Sequence, residues 1–136
     1  MRLLLDINIL LDILLQRAGY PGSKQVLDLC ETETHQGVVA WHTLPTVYYY
    51  YRKGHSEQQT WEMLRDLLQF LNVPTTGRTD VLNAWSYSIP DFEDALQAAC
   101  AVAGNADAII TGNVRDFTSS PVKALTPEDF LTLPTV

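Results

Sequence analysis

Three separate segments of this sequence carry acidic side chains where an apolar run ends or a helix begins. Asp6 follows the apolar run 3–5, and Asp116 lies shortly after the apolar run 108–110. Asp94 begins an alanine-rich segment whose apolar residues recur at helical spacing. Carboxylates that are brought together repel one another unless a cation lies between them, so the three segments together predict a hard divalent ion, Mg²⁺ or Mn²⁺. Such an ion polarises a phosphate and activates a water for attack.

Each acid also has a purely structural explanation. Asp6, between a predicted strand and a predicted helix, is a good N-cap. Asp91 and Asp94 stand in the first turn of a helix, where acids favour the helix dipole and can form a capping arrangement. Asp116 could be a solvated residue of a simple turn. No single segment decides between these alternatives, and the coincidence of all three favours the metal site.

The elements that position these acids alternate between short apolar strands and helices. The predicted strands are 3–5, 38–41, 73–75, 108–111 and 122–125. The predicted helices begin near residues 9, 23, 43, 56, 79 and 91, and a capped final turn begins at 126, with N-caps at Ser23, Ser56 and Thr126. This alternation predicts an α/β fold, a three-layer α/β/α arrangement around a central parallel sheet of four to five strands. In such a sheet, ligands bind at the carboxyl ends of the strands.

Length, composition and charge narrow the class of protein. The chain has 136 residues, 46% of them hydrophobic, which predicts a single domain over residues 1–136. Asp6 and Asp12 interrupt the apolar N-terminal stretch, so we expect no signal peptide, no membrane partner and a cytoplasmic location. Cys30 and Cys100 lie in helical patterns and are predicted to be buried free thiols. The formal charge of −7 argues against sequence-blind binding of nucleic acid and favours a basic protein partner, although a carboxylate active site itself lowers the charge.

The aromatic and histidine residues are predicted to have structural roles. His35, His42 and His55 lack metal-ligand spacing and are predicted to be ordinary surface or loop histidines. The run 48–51 consists of four tyrosines, which cannot all share one helix face and are predicted to divide between the core and an interface. Trp61 and the leucines that follow it are predicted to be core residues.

The three acidic segments resemble the motifs of the PIN-domain nucleases, and among these the VapC-type toxins of prokaryotic toxin–antitoxin systems. The resemblance is carried by residues 3–12 (LLLDINILLD), 91–99 (DFEDALQAA) and 108–117 (AIITGNVRDF). The order and spacing of these motifs and the total length all match, so the resemblance covers essentially the whole chain. It implies a PIN-like fold with one acidic site at an edge of the sheet.

The resemblance also implies which acids bind the metal. The first metal-binding aspartate of the family falls on Asp6, the aspartate at the helix start on Asp94, and the last acid on Asp116. Asp91 and Glu93 fall on positions of auxiliary acids. These three aspartates are therefore the expected catalytic and metal-binding residues.

Polar residues of the same motifs are expected to orient substrate or water. Asn8 looks like the polar residue that orients the first loop, and Thr111 and Asn113 are placed to hold a ligand or a water. One position departs from the family pattern, because Thr46 stands where many members have a glutamate. A threonine hydroxyl can orient a water but supplies no charge to a dication, so the second metal ion is in doubt.

The resemblance implies a metal-dependent endoribonuclease that hydrolyses RNA phosphodiester bonds and leaves a 5′-phosphate, with an antitoxin as a possible partner and a homodimer as the expected state. The alternative is a catalytically degenerate PIN-like module that binds RNA or a protein without cleavage, and Thr46 is the argument for it. A phosphatase or receiver domain fits less well, because neither Lys24, Lys53 nor Lys123 lies at the strand end where those classes need a lysine.

Overall fold

The computed structural model describes residues 1–134, in which helices and strands alternate along the chain. The strands are β1 (Arg2–Leu5), β2 (Gln36–Val38), β3 (Leu71–Asn72), β4 (Ala108–Ile110) and β5 (Ala124–Leu125). The helices are α1 (Ile7–Leu14), α2 (Tyr20–Glu31), α3 (Thr43–Arg52), α4 (Glu57–Leu67), α5 (Arg78–Trp85), α6 (Phe92–Ala103) and α7 (Pro127–Leu131). A short 3-10 helix, Val114–Phe117, follows β4.

The strands form one parallel sheet in the order β3-β2-β1-β4-β5. β1 lies at the centre, where Leu4 pairs with Val38 of β2 on one side and with Ile109 of β4 on the other. The predicted α/β fold with a parallel sheet of four to five strands is confirmed. Because β1 and β4 are neighbours and parallel, the segments that follow them leave the sheet side by side.

Apolar residues of the central strands alternate between two hydrophobic cores, one on each face of the sheet. Leu3, Leu5 and Ile110 pack in the core that contains buried residues of α1, α2, α3, α4 and α7. Leu4 and Ile109 pack in the second core, against α5 and the alanine-rich α6. The sheet is therefore the middle of three layers, and β1 contributes to both cores.

Side-chain caps fix where four of the helices begin. Ser56 caps α4 in a reciprocal capping box with Gln59, and the hydroxyl of Thr126 accepts the Asp129 N–H at the start of α7, which confirms both predicted caps. Asp6 and Asp91 cap α1 and α6. The capping alternative for these two acids is therefore correct, and the same residues are available for a second role.

Several local predictions were wrong. The second helix begins at Tyr20, before the predicted cap Ser23, because Pro21 is well suited to a first turn; Ser23 is buried and its hydroxyl donates to Asp12. The third strand is Leu71–Asn72 rather than 73–75. Trp61 is 61% exposed rather than a core residue.

Two histidines predicted to lie on the surface or in loops are partly or fully buried. His35 is buried against the edge of the Phe130 ring, and its Nδ1 lies 3.2 Å from the N-terminal amino group. His42 is half-buried, with its Nε2 atom shielded from solvent. Cys30 and Cys100 are buried free cysteines, as predicted. No helix in residues 1–134 combines the length and the apolar character needed to cross a membrane.

Candidate active site

Asp6 lies at the carboxyl end of the central strand and is held in place by two hydrogen bonds. Its Oδ1 accepts the Ile7 N–H at 2.8 Å, and its Oδ2 accepts the Thr111 hydroxyl at 2.9 Å. The side chain is almost fully buried, and this burial raises the pKa of Asp6, while the hydrogen bonds from Thr111 and Ile7 lower it and offset part of the effect. Asp6 is therefore a rigid carboxylate, presented by β1 and by the first turn of α1.

Thr111 connects Asp6 to the segment that follows β4. The residue is fully buried, and its Oγ1 accepts the Asn113 N–H at 3.0 Å while its hydroxyl donates to Asp6. This hydrogen bond shapes the turn that leads into the 3-10 helix containing Asp116. The position of one acid is thus coupled to the loop that carries another.

Asp94 lies in the first turn of α6, where its backbone N–H donates to Asp91 Oδ1 at 2.9 Å. The side chain is half-buried, and its pKa is raised to about 7, first by burial and then by the surrounding carboxylates. In decreasing order of effect, these are Asp91, Asp6, Asp116 and Glu93. Asp94 therefore lies within electrostatic range of the other four acids that the sequence singled out.

The chemistry of this donor set fits a hard dication. Every donor is a carboxylate oxygen, and a bound cation would relieve the repulsion that, after burial, raises the pKa of Asp94. Within residues 1–134, no three His, Cys, Asp or Glu side chains are close enough to form a complete preassembled ligand set. Mg²⁺ is usually bound through one or two carboxylates and keeps several waters, so the arrangement is suited to Mg²⁺ or Mn²⁺ rather than to a fully protein-coordinated ion.

The residues predicted to orient substrate or water lie on three different elements. Asn8, in the first turn of α1, contributes a hydrogen bond that lowers the pKa of Asp6, and its Oδ1 accepts from Arg17 Nη1 at 3.5 Å. Asn113 is exposed and caps the 3-10 helix without a side-chain bond. Thr46 lies in the second turn of α3 and is half-buried. No carboxylate occupies its place, so α3 contributes no charge there.

Sequence reasoning missed a polar contact beside the acids. Gln97 of α6 and Thr43 of α3 are fully buried and hydrogen-bonded to each other at 2.8 Å. The available signal was a glutamine one helical turn after Asp94, in a helix that is otherwise rich in alanines. The partner of that glutamine lies in another helix, which no local pattern reveals.

We expect Thr111→Val to weaken Mn²⁺ binding about 10- to 100-fold, the range found when an outer partner of a metal ligand is removed. Valine keeps the volume but removes both hydrogen bonds, so the Asp6 carboxylate loses an orienting donor and the Asn113 amide loses its acceptor. Isothermal titration of Mn²⁺ into both proteins measures the change. Thr111→Ser, which keeps the hydroxyl, is the matched control, and equal affinity of the valine and serine variants would contradict the assignment.

The fold is a parallel α/β sheet with acidic residues near the carboxyl ends of its strands. A family model described as PIN domain matches residues 2–115, and the chain belongs to the PIN-domain family, a family of nucleases. The resemblance inferred from the three motifs is confirmed. No curated protein matches the chain significantly.

Solved structures of toxin–antitoxin complexes have a similar fold. The chain is similar to a structure of VapBC2 from Rickettsia felis bound to a DNA fragment from its promoter, with 18% identity, a TM-score of 0.71, and 93% of this chain and 98% of that chain covered. It is also similar to VapBC-1 from nontypeable Haemophilus influenzae, with 17% identity, a TM-score of 0.71, and 94% of this chain and 99% of that chain covered. A toxin–antitoxin complex from Klebsiella pneumoniae shares 28% identity with it, with a TM-score of 0.66, and 91% of this chain and 96% of that chain covered.

Proposed function

We propose that this protein is a metal-dependent endoribonuclease and the toxin of a toxin–antitoxin pair. The observation that carries the proposal is that Asp6 and Asp116 lie within electrostatic range of the half-buried Asp94, whose pKa is raised to about 7, first by burial and then by the neighbouring carboxylates. PIN-family membership and the likeness to toxin–antitoxin complexes support the same reading.

In this mechanism the chain holds the metal and orients the reactants. Asp6, Asp94 and Asp116 hold Mg²⁺ or Mn²⁺, which when bound polarises the scissile phosphate and lowers the pKa of the attacking water. Asp6 provides a fixed anchor because Ile7 and Thr111 hold both of its oxygens. Asp94 must lose its proton to bind the ion, so protons compete with the metal at this carboxylate. No side chain acts as a nucleophile.

The remaining polar groups adjust the site around this metal. Asp91 and Glu93 add negative charge beside Asp94, and Asp91 also holds the first turn of α6 in place. Asn8, Asn113 and Thr46 orient water or RNA. One observation favours the alternative of a non-cleaving module: Thr46 is neutral, which leaves a second ion without a ligand from α3.

The direct test is cleavage of a mixed pool of tRNA and messenger RNA by the purified protein in Mn²⁺, with a chelator and an Asp6→Ala variant as controls. We expect cleavage by the wild type and none in either control. Saturable Mn²⁺ binding without cleavage would reject the nuclease and favour the non-cleaving module. Absence of Mn²⁺ binding would reject the metal site itself.

For the protein partner, we propose a basic antitoxin segment that binds along the groove between α2 and α4. This groove has a volume of about 460 Å³ and an apolar floor that includes Leu27, Met63 and Leu67. Its lining also includes four carboxylates and one lysine: Asp28, which is paired with Lys24, and Glu31, Glu62 and Asp66. The formal charge of −7 also favours a basic partner. The expected homodimer stays a prediction that sedimentation velocity would test.

A charge reversal in the groove lining tests this partner proposal. Asp66→Lys should slow association with a small basic protein encoded next to this chain by about 10-fold or more at low salt, because rim charges act mainly on the association rate. Surface plasmon resonance measures the rate, and Glu57→Lys, at the exposed start of the same helix and outside the groove, is the matched control. Equal rates for the two variants would place the partner elsewhere.

A further inference from the structure

A buried hydrogen bond joins the two helical layers at the edge of the sheet where the acids converge. Gln97 Nε2 of α6 donates to Thr43 Oγ1 of α3 at 2.8 Å, and neither residue is exposed to solvent. α3 contributes Val47 to the core on one face of the sheet, and α6 contributes its alanines to the core on the other. The bond therefore ties together two elements that otherwise belong to separate cores.

This junction leaves a buried polar atom without a hydrogen-bond partner. Within residues 1–134, the buried side-chain polar atoms without a hydrogen-bond partner are Gln97 Oε1 and His42 Nε2. Gln97 Oε1 belongs to the pair itself, so one side of the Gln97 amide is bonded to Thr43 and the other is unpaired. Buried polar groups in folded proteins are nearly always paired, and each exception needs an explanation. An apolar pair would hold the layers together at lower cost in stability.

The position of the pair in the two helices suggests the explanation. Gln97 lies one helical turn after Asp94, and Thr43 lies one turn before Thr46. The bond thus ties the second turn of α6, which directly follows the turn that carries Asp94, to the first turn of α3. A shift of α6 along the sheet would move Asp94 away from Asp6 and Asp116.

We propose that Gln97 and Thr43 form a positioning pair that sets the location of Asp94 in the metal site, retained although it lowers stability. The consequence for metal binding rests on the proposed function, whereas the effect on the two helices does not. Neither residue touches substrate or metal in this proposal, because each acts through the turn that it holds.

The test uses Gln97→Met, which keeps the length of the side chain and removes its polar groups. We expect two results: amide hydrogen exchange at least tenfold faster in the first two turns of α3 and α6, and a Kd for Mn²⁺ at least tenfold weaker. Thr43→Val should reproduce both, and the double variant should add little to either, because both changes break the same bond. Each single variant leaves its former partner buried and unpaired and should lower stability, whereas the double variant should have a free energy of unfolding equal to or above that of the wild type.

Two control variants separate positioning from ordinary packing. Thr43→Ser keeps the hydroxyl and should retain the Mn²⁺ affinity of the wild type within about twofold, a smaller change than that seen when an orienting partner is lost. Cys100→Ala removes a buried atom from the same helix, one turn further from Asp94, and should lower stability without changing the exchange of α3.

Failure of the positioning pair can be distinguished from failure of the proposed function. Unchanged exchange and unchanged Mn²⁺ affinity of Gln97→Met would show an ordinary core contact and overturn the proposal. If the wild type fails to bind Mn²⁺, the proposed function is lost. The exchange measurement needs no metal, so tenfold faster exchange in α3 and α6 would still support the pair, and unchanged exchange would still overturn it.

Discussion

Asp94→Asn should abolish metal-dependent RNA cleavage while giving a protein at least as stable as the wild type. We expect the rate to fall by at least about 10³-fold, because the substitution removes a charged ligand from an ion that supplies most of the transition-state stabilisation. The fold should persist because the hydrogen bond that caps α6 runs from the Asp94 backbone N–H to Asp91 and does not involve the Asp94 side chain. RNA cleavage in Mn²⁺ tests the expected loss of activity, and urea unfolding of both proteins tests the expected stability.

The matched control is Glu93→Gln, on the adjacent and exposed residue of the same helix turn. It removes the same charge from the cluster but no assigned metal ligand, so we expect a loss of cleavage below about tenfold, since a charge near the site acts only through screened solvent. Wild-type cleavage by Asp94→Asn, or equal losses for the two variants, would remove Asp94 from the metal site.

The metal-free protein should lose stability as the pH rises from about 4 to 7. The folded-state pKa of Asp94 is about 7, above the value near 3.9 expected in the unfolded chain, so the folded state binds more protons across this range. Stability is then full below the unfolded pKa and is lost as pH rises through the folded pKa. Burial also raises the pKa of Asp6, which acts in the same direction.

The size of this loss is moderate because Asp94 is only half-buried. Allowing for screening by solvent, we expect about 1–2 kcal/mol between pH 4 and 7, and Asp94→Asn should remove the part due to that residue. Urea unfolding at a series of pH values in chelator gives the difference between the two proteins. A difference that is constant over this range would contradict the raised pKa.

Bound metal should restore the lost stability above pH 7, where Asp94 is ionised. An ion that binds only the folded state at 100 times its Kd adds about 2.7 kcal/mol to the free energy of unfolding. Mn²⁺ should therefore raise the melting temperature of the wild type at pH 8 and have little effect on Asp94→Asn. The same addition at pH 5 should give a smaller shift, because protons compete for the carboxylate.

Local patterns were sufficient for the parts of the fold that carry the site. Asp6 and Thr111 follow short, fully apolar runs, and such runs bounded by polar residues predict buried parallel strands. The cap at Asp91 likewise has a local signature in the acids of the same turn. These elements were predicted because the forces that form them act within a few residues.

Other features depend on contacts that are distant in the sequence. β3 is only two residues long and is defined by pairing with β2, so its boundaries could not be read from its own residues. Gln97 and Thr43 are 54 positions apart, and their hydrogen bond follows from the packing of two helical layers. The exposure of Trp61 similarly depends on which face of α4 meets the core. A periodic pattern predicts that one face of a helix is apolar, but it does not predict how much of that face other elements cover.

Because β1 is the central strand, the site cannot form until late in synthesis of the chain. Asp6 leaves the ribosome 105 residues ahead of Thr111, the residue that donates to its carboxylate. Until β4 emerges, β1 lacks a partner on one side and Asp116 has not yet been synthesised. A product of interrupted translation that ends before β4 should therefore lack a complete acidic site. On the proposed function, cleavage of RNA should begin only after the segment that carries Asp116 has been made.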